Sequence, residues 1–304
     1  MKMLEKRTIC HYPIKYLQDE LKDITTGDMI MIAANTGSGK STISRLFMEG
    51  AIKENCPVVL YSLEDQQGIP AANECYQEFV SAGNYDIDFK TWLKDNTLHP
   101  EKYTEYRRKA MEKATKTNEN GLKLRIVHEQ STDKQWTLKD VILEIRKEVA
   151  QGYKLFIIDH IDVLVPSERP EDMVNAVRWL WKTVCEYNIA LITFSQLASR
   201  RSMDSLCPGL DDLRGSKAKI HTPTVVISLA RHIYGQYSLF DDPKYKPTYM
   251  RILKNRFGNT SCAVVYFYNG RYHDTYTKVE CNELGTYIDG KNARQMARQQ
   301  KGTI

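Results

Sequence analysis

Residues 29–42 read MIMIAANTGSGKST, and this stretch constrains the fold more than any other part of the chain. Met29 to Ala34 form a short apolar run typical of a buried strand, and apolar residues recur at helical spacing from Ser41 to Ile52. A strand that leads through a glycine-rich turn into a helix is the arrangement of a phosphate-binding loop. The order of these elements favours such a loop over a flexible Gly/Ser segment.

The residue types in this loop suit contact with phosphate. Gly37 and Gly39 can adopt backbone angles that turn successive N–H groups around an anion. Lys40 lies at the predicted helix start, where its charge and the helix dipole favour phosphate, and the Ser41 hydroxyl can bind Mg²⁺. Ala34 replaces the usual first glycine, and a methyl group is compatible with ordinary backbone angles. The predicted nucleotide contacts are Ala34, Asn35, Thr36, Gly37, Ser38, Gly39, Lys40, Ser41 and Thr42.

Composition limits the class of protein. A chain of 304 residues suits one large α/β domain, and its net charge of +5 is compatible with a polyanionic partner. Seven cysteines without a CxxC pair indicate neither a disulfide framework nor a zinc site. Neither a run of about 18 apolar residues nor an N-terminal apolar segment is present. We therefore expect a soluble cytoplasmic protein without a membrane partner.

Extended and helical patterns alternate after the phosphate loop, which favours a mostly parallel sheet covered by helices. Further strands are predicted at residues 58–63, 124–128, 155–159, 189–195, 224–230, 249–254 and 263–268. We expect a short arm at 1–26, a nucleotide-binding domain at 27–282 and a basic tail at 283–304. The tail either contacts nucleic acid or a partner, or is a solvated terminus. Residues 83–121 form a polar insertion, in which we expect surface helices and no second core.

Polar residues follow three of the predicted strands. Asp159 ends the strand in KLFIIDHID and can place a carboxylate beside a metal. Glu64 follows VVLYSL and can act as the base that activates water, with Asp65 as the rival residue. Gln196 follows LITFS, and its amide can contact a γ-phosphate. Because the carboxyl ends of parallel strands meet at one edge of a sheet, these side chains are expected at a single site.

The segment after Gln196 is predicted to be a long loop. Residues 197–211 lack periodicity and contain Pro208 and Gly209. Long loops in compact domains are often functional, and Arg200 and Arg201 make this one a candidate DNA contact.

Six segments resemble the RecA-like motor of replicative hexameric helicases in order and approximate spacing: GDMIMIAANTGSGKST, SLED, IIDHIDVL, FSQL, DLRGSKA and RILKNRFGN. Over roughly residues 20–275 the chain is similar to the C-terminal domain of bacterial DnaB, to the helicase half of phage primase-helicases and to mitochondrial Twinkle. DnaB-type phosphate loops also begin with Ala, as at Ala34. The resemblance implies a RecA-like P-loop NTPase core at 27–282. In this fold a mostly parallel twisted sheet is flanked by helices and ends in antiparallel strands.

The resemblance also implies roles for residues at matching positions. The catalytic and metal-binding set is Lys40, Ser41, Glu64, Asp159 and Gln196. A loop that contacts single-stranded DNA inside the ring matches Arg214, Gly215, Ser216 and Lys217. Lys254 and Arg256 match the pair that reaches into a neighbouring subunit's nucleotide. Arg231 and Tyr268 match the residues that sandwich the base of the nucleotide.

The implied function is that of an ATP-dependent replicative DNA helicase, which translocates on single-stranded DNA as a homo-oligomeric, hexameric ring. The implied substrate is ATP or dTTP with Mg²⁺, and the implied further partners are a separate primase or replisome proteins. The resemblance does not extend to a primase or an N-terminal collar, because residues 1–26 form only a short arm. Two alternatives remain open: a DNA-dependent ATPase that serves as recombination mediator or helicase accessory without unwinding, and a binding module with a vestigial site.

Overall fold

The apolar segments of the sequence form the strands of one nine-stranded sheet in the computed structural model of the chain. The structure describes residues 6–35, 38–63, 69–84, 87–117, 121–122, 124–128, 136–165, 169–197, 208–213, 218–231, 246–268, 271–281 and 287–288. The strands are β1 (Thr8–His11), β2 (Asp23–Thr25), β3 (Met29–Ala34), β4 (Val58–Ser62), β5 (Arg125–His128), β6 (Leu155–Asp159), β7 (Ala190–Gln196), β8 (Val225–Arg231), β9 (Lys246–Asn255), β10 (Ser261–Tyr268), β11 (Arg271–Lys278), β12 (Glu280–Cys281) and β13 (Tyr287–Ile288). The helices are α1 (Lys15–Leu21), α2 (Lys40–Lys53), α3 (Ile69–Ser81), α4 (Phe89–Leu98), α5 (Thr104–Thr115), α6 (Leu138–Gln151), α7 (Pro170–Tyr187) and α8 (Ala218–His221).

The strand order across the main sheet is β11-β10-β9-β8-β3-β7-β6-β4-β5. Strands β3 to β8 pair in parallel, and β9 to β11 extend the sheet with antiparallel pairing. This arrangement confirms the predicted fold class and each predicted strand. Every residue of β3, β4 and β6 is buried, because helices cover both faces of a parallel sheet. The continuous apolar runs in the sequence follow from this burial.

Two apolar layers lie on opposite faces of the sheet. On one face, Ile43 and Phe47 of α2 pack among residues of β3, β4 and β6. On the other face, Val141 of α6 and Leu180 of α7 pack against Phe156 and its neighbours. The start of α6 is fixed by a capping box between Thr137 and Asp140. These layers hold the carboxyl ends of the parallel strands at one rigid edge.

Residues 8–25 form a small unit that the sequence patterns do not reveal. Strands β1 and β2 pair antiparallel, and α1 lies between them in the chain. Tyr16 of α1 is fully buried, and its hydroxyl lies 2.8 Å from the Ser261 hydroxyl. The Tyr276 hydroxyl donates a 2.9 Å hydrogen bond to Asp19. This part of the expected arm therefore packs against β10 and β11.

The insertion at 83–121 contains helices α4 and α5, as expected. Its apolar side chains nevertheless pack with α3 into a small aromatic core, so the expectation of no second core is wrong. Trp92 is fully buried, with its ring centroid 5.4 Å from that of Tyr103 and 6.4 Å from that of Phe79. These side chains come from three separate elements, and for that reason no single segment has strong apolar periodicity.

Within the part of the chain that the structure describes, no helix is long and apolar enough to cross a membrane.

Candidate functional site

The phosphate loop joins β3 to α2 at the carboxyl edge of the sheet. Gly39 is the N-cap of α2, and its φ of +94° is a left-handed conformation that favours glycine. Lys40 is the first residue of the helix and is largely buried. The Ser38 N–H donates a 3.1 Å hydrogen bond to the Asn35 carbonyl oxygen, which tightens the turn. The N–H groups of a helix start and a lysine therefore converge at this point, as an anion-binding site requires.

Strand register brings the predicted nucleotide residues to the same edge. Ala34, the last residue of β3, pairs with Gln196, the last residue of β7. Asp159, the last residue of β6, pairs with Ser62, the last residue of β4. Four adjacent strands thus end together beside the start of α2. The geometry that was expected from the parallel sheet is present for Asp159 and Gln196.

A cavity of about 340 Å³ opens next to this edge. Ser41 and Thr42 from the first turn of α2 line it, together with Ser62 and Asp159 from the strand ends. Asp159 is buried, with only 4% of its surface exposed. A hydroxyl and a carboxylate that face one cavity are oxygen ligands of the kind that Mg²⁺ prefers. Within the described segments, no cluster of three or more His, Cys, Asp or Glu side chains is placed to hold a metal.

A buried charged pair also lines the same cavity. Arg45 of α2 lies next to Glu74 of α3, with Nε and Oε1 3.9 Å apart, and both side chains are more than nine-tenths buried. Burial raises the pKa of Glu74 to about 7, and repulsion from Glu49 adds to this, whereas Arg45 and Lys113 oppose it. This carboxyl group therefore titrates near neutral pH.

A second buried charged group lies near the end of β7. The ammonium of Lys219 in α8 is 2.5 Å from Asp162 Oδ1 and 2.7 Å from the Ser195 hydroxyl. Asp162 Oδ2 accepts a 2.9 Å hydrogen bond from the Gln196 N–H and lies 3.4 Å from His160 Nδ1. Burial alone would raise the pKa of Asp162, but His160, Lys219 and the Gln196 N–H hold it well below its ordinary value. Sequence reasoning did not select Lys219, because nothing in the local pattern distinguishes a buried lysine from a surface one.

Lys254 and Arg256 bind the same run of backbone carbonyl groups. The Lys254 ammonium donates to the carbonyl oxygens of Ile220, His221 and Pro223 at 2.6–3.0 Å. Arg256, which follows the last residue of β9, donates to the carbonyl oxygens of His221 and Thr222 at 3.4 and 3.2 Å. Burial lowers the pKa of Lys254, and the charge of Arg256 lowers it further.

The side chain of Arg256 is exposed, although it also contacts an aromatic ring. Its guanidinium carbon lies 5.3 Å above the centroid of the Trp181 ring, within the range of a cation–π interaction. Phe257 beside it has 64% of its surface exposed. Arg256, one of the two residues predicted to reach a neighbouring subunit's nucleotide, therefore lies next to exposed aromatic residues just after β9.

Several predicted site residues lie outside the described residues: Thr36, Gly37, Glu64, Arg200, Arg201, Arg214, Gly215, Ser216 and Lys217. Leu63, the residue before Glu64, is within the described residues. Its N–H donates a 3.0 Å hydrogen bond to the Asp159 carbonyl oxygen. Arg231 is the last residue of β8, and Tyr268 is the last residue of β10. The basic tail is likewise outside the described residues except for β13.

Comparisons with known proteins agree with this geometry. The family model for the DnaB-like helicase C terminal domain matches residues 13–275. No curated protein matched the sequence. A solved structure that is described as an ATPase domain superposes with a TM-score of 0.68 at 18% identity, over 87% of this chain and 91% of that one.

A second solved structure has a similar fold. It is described as a DnaB-like replicative helicase and its interactions with primase, and it superposes with a TM-score of 0.66 at 18% identity. The match covers 88% of this chain and 62% of the helicase chain. At this identity the two structures establish the shared fold, and the family match covers most of the sequence. The chain belongs to the DnaB-like helicase C-terminal domain family.

Proposed function

We propose that this chain is the motor of a replicative DNA helicase, which hydrolyses ATP or dTTP, translocates on single-stranded DNA and thereby separates duplex strands. The main support for the proposal is that several of the predicted nucleotide-binding residues lie at the same edge of the sheet. There the register pairs Ala34 with Gln196, and Asp159 lies beside Ser62 and the cavity that Ser41 lines. A helix start, a hydroxyl–carboxylate pair and the backbone of Gln196 thus share one edge, which supports a site for nucleotide and Mg²⁺ there.

In the proposed reaction, Lys40 and the N–H groups at the start of α2 hold the β- and γ-phosphates. Mg²⁺, held by Ser41 and Asp159 together with phosphate oxygens, would neutralise charge on the phosphates. Glu64, directly after β4, accepts a proton from the attacking water as the new bond to the γ-phosphorus forms and the bond to the β-phosphate oxygen breaks. Gln196 contacts the γ-phosphate and loses that contact after hydrolysis.

The proposal places each active site between two copies of the chain. Arg256 lies over the Trp181 ring and beside the exposed Phe257 at the end of β9, and Lys254 donates to the same His221 carbonyl oxygen as Arg256. Cations in this position suit the stabilisation of negative charge on a neighbour's γ-phosphate. A homo-hexameric ring would supply every nucleotide with such a pair. The base of the nucleotide would pack between Arg231 and Tyr268.

DNA binding is assigned to the residues between β7 and β8. Arg214, Gly215, Ser216 and Lys217 would follow the phosphates of a strand inside the ring, and Arg200 and Arg201 would add further contacts. Phosphate contacts are independent of sequence, as a translocating motor requires. A separate primase and other replisome proteins are proposed as partners, and the cytoplasm as the location.

A strand-displacement assay on a forked duplex tests the proposal directly. We expect the purified chain to release the labelled strand with ATP or dTTP and Mg²⁺, and Lys40→Ala to release none. A matched Lys53→Ala variant, altered at the opposite end of α2, should release the strand as the wild type does. Hydrolysis that DNA stimulates without strand release would instead favour a helicase accessory or recombination mediator. No hydrolysis at all would favour a binding module.

A further inference from the structure

Helix α8 is a single turn that directly follows residues 214–217, the segment to which DNA binding is assigned. Its second residue, Lys219, has only 1% of its surface exposed. A lysine that is buried in this way needs charged or polar partners, because an isolated ammonium is too costly to remove from water. The identity of those partners indicates what the lysine does.

The partners of Lys219 lie around the end of β7. Its ammonium contacts Ser195, the residue before the predicted γ-phosphate sensor, at 2.7 Å. It also contacts Asp162 Oδ1 at 2.5 Å, while Asp162 Oδ2 accepts the backbone N–H of Gln196 at 2.9 Å. The ion pair thus contacts two consecutive residues of one strand end. It connects α8 to the backbone that positions Gln196.

The other flank of segment 214–217 is attached to the same strand end. Leu213 forms an antiparallel bridge with Leu197, the residue after Gln196. The Leu197 N–H in turn donates a 3.3 Å hydrogen bond to the carbonyl oxygen of Ala34, at the start of the phosphate loop. The residues before and after the segment therefore both connect to the three residues centred on Gln196.

The carboxyl end of α8 contacts Lys254 and Arg256, the two residues predicted to reach a neighbouring subunit's nucleotide. Lys254 donates to the carbonyl oxygens of Ile220, His221 and Pro223, and Arg256 donates to those of His221 and Thr222. One short helix therefore lies between the sensor of one nucleotide site and the cations proposed to reach the next site. A displacement of α8 would alter the surroundings of both.

We propose that Lys219 and Asp162 are positioning residues whose buried ion pair makes the DNA-binding segment respond to the nucleotide. The pair holds α8 against the Ser195–Gln196 backbone, so that a change at Gln196 when the γ-phosphate leaves is transmitted to α8, which directly follows residues 214–217 in the chain. This inference rests on the proposed function. If the pair served stability alone, neutral replacements of similar volume would leave the effect of the nucleotide on DNA affinity unchanged, because such replacements often preserve stability at a buried ion pair.

The test compares single-stranded DNA binding in two nucleotide states. The affinity of the full chain for a fluorescein-labelled oligo-dT is measured with a non-hydrolysable ATP analogue and with ADP. For the wild type we expect the two dissociation constants to differ by about 10-fold, within the usual range of coupling between two sites. In the Lys219→Met/Asp162→Asn double variant, which removes both charges at nearly constant volume, the ratio should fall below about 2-fold.

A second ion pair, with one partly exposed and one buried partner, provides the control. Arg125 Nε lies 2.7 Å from the fully buried Glu148, at the β5 edge of the sheet. The Arg125→Met/Glu148→Gln variant loses the same two charges and should retain the ratio of the wild type. Thermal unfolding and titration with a fluorescent ATP analogue identify variants that still fold and bind nucleotide. The single variants Lys219→Met and Asp162→Asn show whether either charge alone is sufficient.

Three outcomes decide the proposal. The proposal is supported if the ratio of the two dissociation constants falls below about 2-fold in the folded, nucleotide-binding Lys219→Met/Asp162→Asn variant and not in the control. A ratio of wild-type size in that variant overturns the role of the pair and leaves the proposed function in place. A wild-type chain whose DNA affinity does not depend on the nucleotide overturns the inference, and strand displacement by the same preparation then shows whether the proposed function also fails.

Discussion

Lys40 and Glu64 are assigned to different steps of one reaction, and their variants should differ accordingly. Lys40 lies at the start of α2 and would hold phosphates in the ground state, so Lys40→Ala should weaken nucleotide binding. Glu64→Gln removes only the base, so nucleotide affinity should change little while turnover falls by about 10²-fold or more. Titration with a fluorescent nucleotide and steady-state hydrolysis separate the two effects. Equal losses of binding in both variants would remove Glu64 from the role of base.

Glu74 gives a prediction about pH and stability. Its pKa is raised to about 7 by burial, so the folded chain retains a proton that the unfolded chain releases near pH 4.5. Stability from this group is therefore fully present below about pH 4.5 and is lost as the pH rises through 7. Glu74→Gln should remove this loss and raise the free energy of unfolding at pH 8 by on the order of 3 kcal/mol relative to wild type.

Urea unfolding between pH 5 and pH 8 measures the effect at Glu74. Glu171→Gln, on the exposed first turn of α7, is the matched control and should follow the wild-type pH dependence. A constant difference between Glu74→Gln and wild type over this range would show that Glu74 does not titrate there.

At the scale of elements, the sequence predicts the central strands well and the short elements poorly. Strands β3, β4 and β6 are buried on both faces, so each is a continuous apolar run that needs no tertiary information to identify. Strands β1 and β2 have four and three residues, too few for a period to be measured. The core around Trp92 was missed for a related reason, since its side chains come together only when α3, α4 and α5 pack.

In the candidate site, too, the residues with a local sequence signal were predicted, and those brought together only by tertiary contacts were not. The phosphate loop and Asp159 are visible in the sequence because local order and strand ends identify them. The ion pair of Lys219 with Asp162 joins residues 57 positions apart, and only the tertiary fold brings them together. A tertiary contact, rather than a local sequence pattern, therefore defines this part of the site.

The segment at 214–217 gives the prediction for DNA binding. Arg214→Ala with Lys217→Ala should weaken binding to all single strands alike, because phosphate contacts do not depend on base sequence. The slope of log affinity against log salt should flatten by about 1.4, since each phosphate contact contributes about 0.7 for single strands. Arg108→Ala with Lys109→Ala, which removes two exposed charges from α5, is the matched control. An unchanged affinity and salt slope in the Arg214→Ala/Lys217→Ala variant would place the DNA contact elsewhere.

At the scale of the whole molecule, the proposed function requires that two copies of the chain share each nucleotide site. Arg256 would act on the neighbour's γ-phosphate, whereas Glu64 would act within its own chain. Arg256→Ala should therefore reduce turnover by on the order of 10³-fold, as for other arginine fingers, with a much smaller loss of nucleotide affinity. Chains that carry Glu64→Gln should also be nearly inactive when alone.

Mixing the two inactive variants is the most direct measurement of this shared site. A ring assembled from Glu64→Gln and Arg256→Ala chains contains some interfaces at which Glu64 of one chain meets Arg256 of the next. We expect hydrolysis in the mixture to recover well above the sum of the separate preparations, in proportion to the fraction of mixed oligomers. If mixed oligomers form and hydrolysis does not recover, Arg256 acts within its own chain, and the proposed shared site is contradicted.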